Sequence, residues 1–434
     1  MLWLALRFPA LPLDIFRRAA QTDAAFAVVS EQATRANIVA CNKTALRCGV
    51  RPGMPVAAAM ALDGGLQFVM RDVAAEQAAL ERIAAWALQF TPVVSLAAPA
   101  VLLEIEGSLK LFGGLNALRR EVENGVRALG FEAVIAIAPT PLAAELFAAA
   151  AWPVRIRHPD ALRTSLAQLP VDTMNLAPDA MRLLDDIGMR TLGDCLALPR
   201  DGLARRLGQA LLDTLDRAAG NLPDPRPRYV PPMMYNASQP LPAPAQEAEM
   251  LLFAARRLLT ELCGFLSATA QGVQRVRFTF SHEDHEPTVL TLSLMAASRD
   301  AEHLVNVLRE RLHGTELPRP AIAIALHSEQ LLPLAARSAS FLPDAAHHAE
   351  AAAQLVERLR ARLGDEGVIG LRTVDDYRPE LGWQACEPGT PSGASATGAS
   401  RPLWLLVSPR PLDETGTSPS YEGRLALLAG PERI

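Results

Sequence analysis

Hydrophobic periodicity changes character along these 434 residues, and that succession constrains the fold more than any other feature. In residues 1–165, strand-like runs alternate with helix-like ones. Leu2 to Leu6, Phe26 to Ser30, Asn37 to Ala40, Val101 to Glu106 and Ala133 to Ile137 read as strands. Asp72 to Phe90 places Val73, Leu80, Ile83, Ala84, Ala87 and Leu88 at helical spacing, and Leu115 to Leu129 repeats the pattern. From Leu169 to Asn221 the pattern is wholly helical, with turns at Gly188, Gly193, Gly202 and Gly208. Pro223 to Pro232 then reads as a stiff, extended linker. A second mixed region follows, predicted in the order helix (Gln246 to Leu266), strand (Val273 to Phe280), strand (Thr288 to Leu294), helix (Asp300 to Leu312) and strand (Ala321 to Leu326). Ala346 to Leu363 reads as a helix, and Glu387 to Arg401 as a flexible linker rich in small residues and proline. The chain is therefore expected to be a multidomain α+β protein: 1–165, a helical region 166–225, a linker 226–236, a second α+β domain 237–345, and a helix, linker and tail over 346–434.

Composition narrows the function. The 42 basic and 47 acidic side chains leave a net charge of −5, and the two signs are nearly balanced in each segment. Nucleic acid cannot be held by bulk charge, only by local patches. No stretch offers ~20 unbroken apolar residues. The N-terminus lacks the basic start and cleavage site of a signal peptide, so a cytoplasmic location is expected. Cys41, Cys48, Cys195, Cys263 and Cys386 are scattered and never spaced C-x-x-C. Free, mostly buried thiols are expected, with no disulfide framework, zinc site or cofactor.

Several segments, in order, resemble the DNA polymerase Y family. Gly49-Val50-Arg51-Pro52-Gly53-Met54-Pro55 is similar to its fingers motif. Phe90 to Val94 and Leu103 to Gly113 are similar to a palm strand region and the helix after it, and Ile137 to Ala144 to the next palm strand and helix. Leu183 to Asp194 has the look of a helix-hairpin-helix thumb. The resemblance spans residues 1–345 and implies palm, fingers, thumb and little finger. It breaks at the chemistry. Phosphoryl transfer in such enzymes uses two metal ions held by palm carboxylates. The family's Asp-x-Asp falls on Leu4 and Leu6, and its Asp-Glu pair on Pro99 and Ala100. These side chains offer no oxygen to a hard cation, so no catalytic or metal residues are expected. The nucleotide-contacting Tyr and Arg fall on Lys43 and Leu46, and a phosphate-facing lysine falls on Glu145.

This pattern is similar to the ImuB-type branch, the catalytically inactive Y-family paralogues of bacterial SOS mutagenesis cassettes. Trp3 to Leu13 and Arg401 to Leu406 carry that likeness. The branch implies an adaptor in translesion synthesis whose partners are DNA, the sliding clamp, an error-prone C-family polymerase and a RecA-like accessory protein. Its members usually continue past the equivalent of Gly430 to Ile434 with a Trp-rich recruiting segment, so a truncated partner region or a different recruitment mode is expected here.

The candidate surfaces each carry a plainer reading. The hairpin Ile187 to Thr191, with Gly188 and Arg190, offers backbone N–H groups to phosphate, with Arg205 and Arg206 on a later helix; alternatively it is an ordinary helical turn. Arg275 and Arg277 share one sheet face, lying along DNA or simply solvated. Ser338, Phe341 and Leu342 stand where a clamp-binding peptide would lie, and Gln330 to Leu334 is a second candidate. Glu104 and Glu106 could form a relic metal site or a solvated strand face, and Asp14 is expected to cap or solvate the helix it precedes. The cluster His282 to Glu286 reads as a polar hairpin turn rather than a metal site. The rivals to the adaptor are an active divergent Y-family polymerase using Asp14, Glu104 and Glu106, and a DNA-binding module without clamp contact.

Overall fold

The structure, a computed structural model, describes residues 1–18, 24–30, 36–334, 345–374, 382–390, 411–415 and 418–422. It divides into two compact units, 1–350 and 351–434. The first begins β1 (Trp3–Arg7), α1 (Leu11–Arg17), β2 (Phe26–Val29), β3 (Ile38–Cys41), α2 (Lys43–Arg47), α3 (Val56–Leu62), β4 (Gln67–Met70), α4 (Val73–Ala87), β5 (Val94–Ala97), β6 (Ala100–Glu104), α5 (Leu115–Ala128), β7 (Val134–Ala138) and α6 (Pro141–Ala149). Strands β5-β6-β1-β7 form one sheet, antiparallel throughout. Both its faces are covered. Leu4, Leu6, Val101, Leu103 and Ile137 pack with α4 and α5 residues such as Ile83, Trp86 and Val122. Trp3, Ala5, Leu102 and Ala136 pack on the other side with α6. A strand buried on both faces reads as a continuous apolar run, as β1 does. Strands β3-β2-β4 form a small separate sheet over a core of Ala27, Val29, Ile38, Ala45 and Val50.

Next come α7 (Pro159–Leu166), α8 (Pro178–Asp186), α9 (Leu192–Ala197), α10 (Arg200–Leu207) and α11 (Gln209–Ala219). Leu184, Leu192, Leu211 and Leu215 join this helical layer to the α6 side of the first sheet. Thr140 caps α6, accepting from Ala143 N at 3.3 Å, and donates to Ala218 O at 2.8 Å, which ties α11 to that helix. The proline-rich linker is extended but not free. Tyr229 N donates to Val94 O at 2.7 Å, adding the linker to the edge of β5.

The second sheet departs from the sequence expectation. Strand β8 (Asn236–Ala245) precedes α12 (Ala248–Ala268), β9 (Gln271–His282), β10 (His285–Ser298), α13 (Ala301–His313) and β11 (Ala321–Pro333), so the region starts with a strand and not with a helix. Pro240, Pro242 and Pro244 hide β8 in the sequence. They are tolerated because the sheet order β10-β9-β11-β8 makes it an edge strand. The turn expected over Ser281 to Pro287 shrinks to Glu283 and Asp284, the latter at φ 54°. Beyond these elements lie α14 (Ala345–Leu363), β12 (Gly370–Thr373), β13 (Trp383–Cys386), β14 (Asp413–Thr415) and β15 (Ser418–Ser420). In the second unit, Arg360 Nη1 meets Glu387 Oε2 at 2.7 Å. Among the described residues no helix is long and apolar enough to cross a membrane.

Candidate functional site

The candidate centre is the β1 strand and the turn between β5 and β6. Leu4 lies between Leu103 and Ile137, and Leu6 between Val101 and Ile135. Both leucines are fully buried. Pro99 occupies the turn, and its carbonyl accepts from Phe8 N at 3.1 Å. Ala100 faces Arg7 across the ladder and is buried. Each of the four positions presents carbon where a metal would require oxygen.

Close by, Glu145 of α6 is engaged by the linker. Arg226 Nη1 lies 3.1 Å from Glu145 Oε2, while its Nε and Nη2 donate to Asp224 Oδ2 at 3.0 and 2.9 Å. The same Asp224 oxygen accepts from Leu142 N, in the first turn of α6, at 3.1 Å. A carboxylate of the chain thus fills an anion position at a helix N-terminus. Burial pushes the Glu145 carboxyl above its ordinary range, against the opposing pull of Arg226.

The surviving acids are scattered. Glu104 Oε1 accepts from Leu2 N and Glu106 N, both at 3.2 Å, and Glu106 pairs with the Met1 amine at 2.6 Å. Asp14 lies inside α1 and corrects the expectation that it caps or solvates a following helix: it is only 2% exposed, accepts from Glu132 N at 3.3 Å, and burial raises its pKa to about 6. Among the described residues no three His, Cys, Asp or Glu side chains converge as metal ligands. His282 is buried in β9, with Nε2 2.8 Å from Thr288 Oγ1 and Nδ1 3.2 Å from Pro320 O. The five thiols are free, but only Cys195 and Cys263 are buried and Cys48 is exposed, because Cys48 ends the short surface helix α2. Lys43 is exposed and lies 3.8 Å from Glu132; Leu46 follows it on α2.

The α8–α9 hairpin differs from the expected phosphate cradle. Gly188 N donates to Asp185 O at 2.9 Å and Met189 N to Leu184 O at 2.8 Å. Asp194 Oδ2 accepts from Arg190 N at 3.1 Å and Thr191 N at 2.9 Å, completing a capping box. Leu192 N and Gly193 N reach Leu169 O and Ala167 O. The amides expected to meet phosphate, that of Gly188 included, are occupied within the chain. The exposed Arg190 side chain remains available. Hydrogen bonds from Thr191, backbone and side chain, and from Arg190 hold the Asp194 carboxyl below its ordinary range, so a negative charge stays at the hairpin.

Arg205 and Arg206 are exposed in the last turn of α10. Arg275 and Arg277 are exposed on one face of β9 while Val276 and Phe278 are buried on the other. Arg277 is paired with Glu329 of β11, about half of its side chain still exposed. Ser338, Phe341 and Leu342 lie outside the described residues. Gln330 to Pro333 belong to β11, registered against Gln271, Gly272, Val273 and Arg275 of β9, and Leu334 N donates to Ala270 O. That segment is a sheet strand and not a free peptide, which corrects the second clamp candidate.

Residues 18–149 match the impB/mucB/samB family. The matched stretch contains Pro99, Ala100 and Glu145 but begins after β1. Over 401 residues the chain is 29% identical to Protein ImuB of Caulobacter vibrioides, strain NA1000 / CB15N, covering 89% of this chain and 88% of that protein. Protein ImuB of strain ATCC 19089 / CIP 103742 / CB 15 matches to the same extent. Among solved structures, DinB from Sulfolobus solfataricus aligns at 17% identity and TM-score 0.43, covering 77% of this chain and 100% of that one. An insertion ternary complex of Dbh DNA polymerase aligns at 16% identity and TM-score 0.45, covering 76% and 99%.

Sequence reasoning missed the Asp224–Arg226–Glu145 cluster, whose linker and helix members lie some 80 residues apart with no shared motif. It also missed a fully buried glutamate on α12, since Glu261 looks like any polar residue of an amphipathic helix.

Proposed function

We propose that the protein is a non-catalytic, Y-family-like adaptor in DNA-damage-induced translesion synthesis. The observation that carries this reading is the chemistry of the palm-like centre: Leu4, Leu6, Pro99 and Ala100 stand where the family places its carboxylates, and the two leucines are core residues. Two-metal phosphoryl transfer needs oxygen ligands on both ions. The phosphate-facing position is the acid Glu145, and the cation beside it, Arg226, is already paired with two carboxylates. The rival polymerase reading is not favoured. Glu104 and Glu106 bind the first residues of the chain, and Asp14 is buried against Glu132.

In this reading DNA is held through phosphate contacts by Arg190, Arg205, Arg206, Arg275 and, more weakly because of Glu329, Arg277. Such binding is independent of sequence and sensitive to salt. By likeness to ImuB-type proteins, the sliding clamp engages Ser338, Phe341 and Leu342, while an error-prone C-family polymerase and a RecA-like accessory protein complete the assembly. The domain limits 1–165, 166–225, 237–345 and 346–434 serve this proposal as palm and fingers, thumb, little finger and tail, and the assembly is cytoplasmic. The test is primer extension with magnesium and with manganese, beside anisotropy of the same primer-template at two salt concentrations. Binding without extension is expected. Extension abolished by Glu104→Ala would replace the adaptor by a divergent polymerase.

A further inference from the structure

Helix α12 belongs to the second sheet by sequence, yet its C-terminal part is buried all round. Leu251, Leu252, Ala254, Ala255, Leu258 and Leu259 lead into a last stretch in which every residue from Glu261 to Leu266 is buried. That last stretch has neighbours on both sides, while Glu249, Met250 and Arg256 nearer the start of the helix stay in water. Its neighbours are its own sheet, the adjoining α13 and, from the first sheet's side, α4.

The contact between α12 and α4 is built around Glu261. Its carboxylate receives Arg18, which follows α1, and Arg82 Nε of α4 at 3.0 Å. The Tyr235 hydroxyl, just before β8, donates to it at 2.7 Å. Burial alone would raise the Glu261 carboxyl; the two arginines hold it below its ordinary range, so the charge is kept in the interior. Arg18 is itself fully buried, with its guanidinium 4.4 Å from the centre of the Phe131 ring. One turn further along α12, a methyl group on Gly264 would overlap the Trp86 ring of α4, and one on Gly125 of α5 would overlap its other end. The indole is thus seated in two glycine gaps. Gln239 of β8 adds a hydrogen bond to Ile15 O at 2.6 Å.

We infer that this joint is a permanent, charge-registered part of the fold that makes the first sheet and the β8–β11 sheet one rigid body, where a hinged pair of domains would dock reversibly. Opening it would expose the apolar α12 face and the Trp86 seat together. The ionic hub sets the register, because one carboxylate of α12 meets Arg82 of α4 and Arg18 at the end of α1 at the same time. The consequence is that the sheet face bearing Arg275 and Arg277 has one fixed orientation to β1. The inference stands independently of the adaptor reading.

Hydrogen–deuterium exchange of the full chain tests it, with and without saturating primer-template DNA. Amides of α4 and α12 are expected to exchange through one shared opening, within tenfold of each other, and to keep that pattern on DNA. Glu261→Gln is expected to raise exchange in both helices by the same factor, tenfold or more. Wild-type α12 exchanging well over tenfold faster than α4 would overturn the rigid joint, as would opening of α12 alone on DNA. Glu261→Gln with no effect, or with an effect confined to α12, would overturn the ionic register. Should that variant fail to fold, the wild-type comparison decides alone.

Discussion

The two large sheets treat polar function in opposite ways. In β5-β6-β1-β7 both faces are covered, and Leu4 and Leu6 are part of the core. In β10-β9-β11-β8 the buried face holds Val276, Phe278 and Phe280, while the other keeps Arg275 and Arg277 in water. A sheet whose strands are apolar on both faces closes over on both sides. A sheet with charged side chains on one face leaves that face open to water. The contrast separates a sheet buried on both faces from one that keeps a cationic face in water.

The most severe way to break the contrast is to return an acid to the closed sheet. Leu6→Asp removes a fully buried side chain and places a carboxylate among Val101, Ile135 and Phe8. A loss on the order of 4 kcal/mol or more is expected from cavity and desolvation together, read by urea denaturation, with no gain of primer extension. A stable, extending variant would show that the centre is still a metal site.

Asp14 gives the next largest effect. Its folded pKa of about 6 lies above the ordinary 3.8, so between these values the folded state holds a proton that the unfolded state has lost. Stability from this group is present below pH ~4 and falls as pH rises through ~6, by up to about 3 kcal/mol. Asp14→Asn is expected to flatten that part of the stability profile, and an unchanged profile would contradict the buried assignment.

Removing the linker anchor is milder. Arg226→Ala leaves Glu145 and Asp224 near one another without their shared cation, at a cost of about 2 kcal/mol, measurable as a lowered denaturation midpoint. Faster proteolytic cleavage within 223–232 is expected alongside. The smallest stability effect belongs to the open sheet. Arg275→Ala and Arg277→Ala are each expected to change stability by less than about 0.5 kcal/mol and to lower the salt slope of DNA binding by about one. Arg275→Ala is expected to have the larger effect, because Arg277 is already shared with Glu329.

Much of the architecture could be read from residue order. The runs from Leu2 to Leu6 and Ala133 to Ile137, and the helices beginning near Asp72 and Leu115, stand within a few residues of β1, β7, α4 and α5. Short or interrupted strands escaped. β4 and β5 were not marked although β2 and β3, of the same four-residue length, were, and β8 carries three prolines that only its edge position makes acceptable. At the hairpin, the glycine turn was legible. That Asp194 and nearby carbonyls take its amides was not, because hydrogen-bond partners are chosen by geometry.

The absence of oxygen ligands at Leu4, Leu6, Pro99 and Ala100 followed from residue identity, since a side chain's capacity to bind a cation is covalent chemistry and needs no fold to establish it. The mixed architecture followed from periodicity for a related reason: apolar spacing dictates which elements can bury a face. Which charges stay available was decided by folding. Arg226 meets Glu145, Arg277 meets Glu329, and Arg18 meets Glu261 across 243 residues of chain. Electrostatic partnership depends on distance and burial, and neither is defined until remote segments have been brought together.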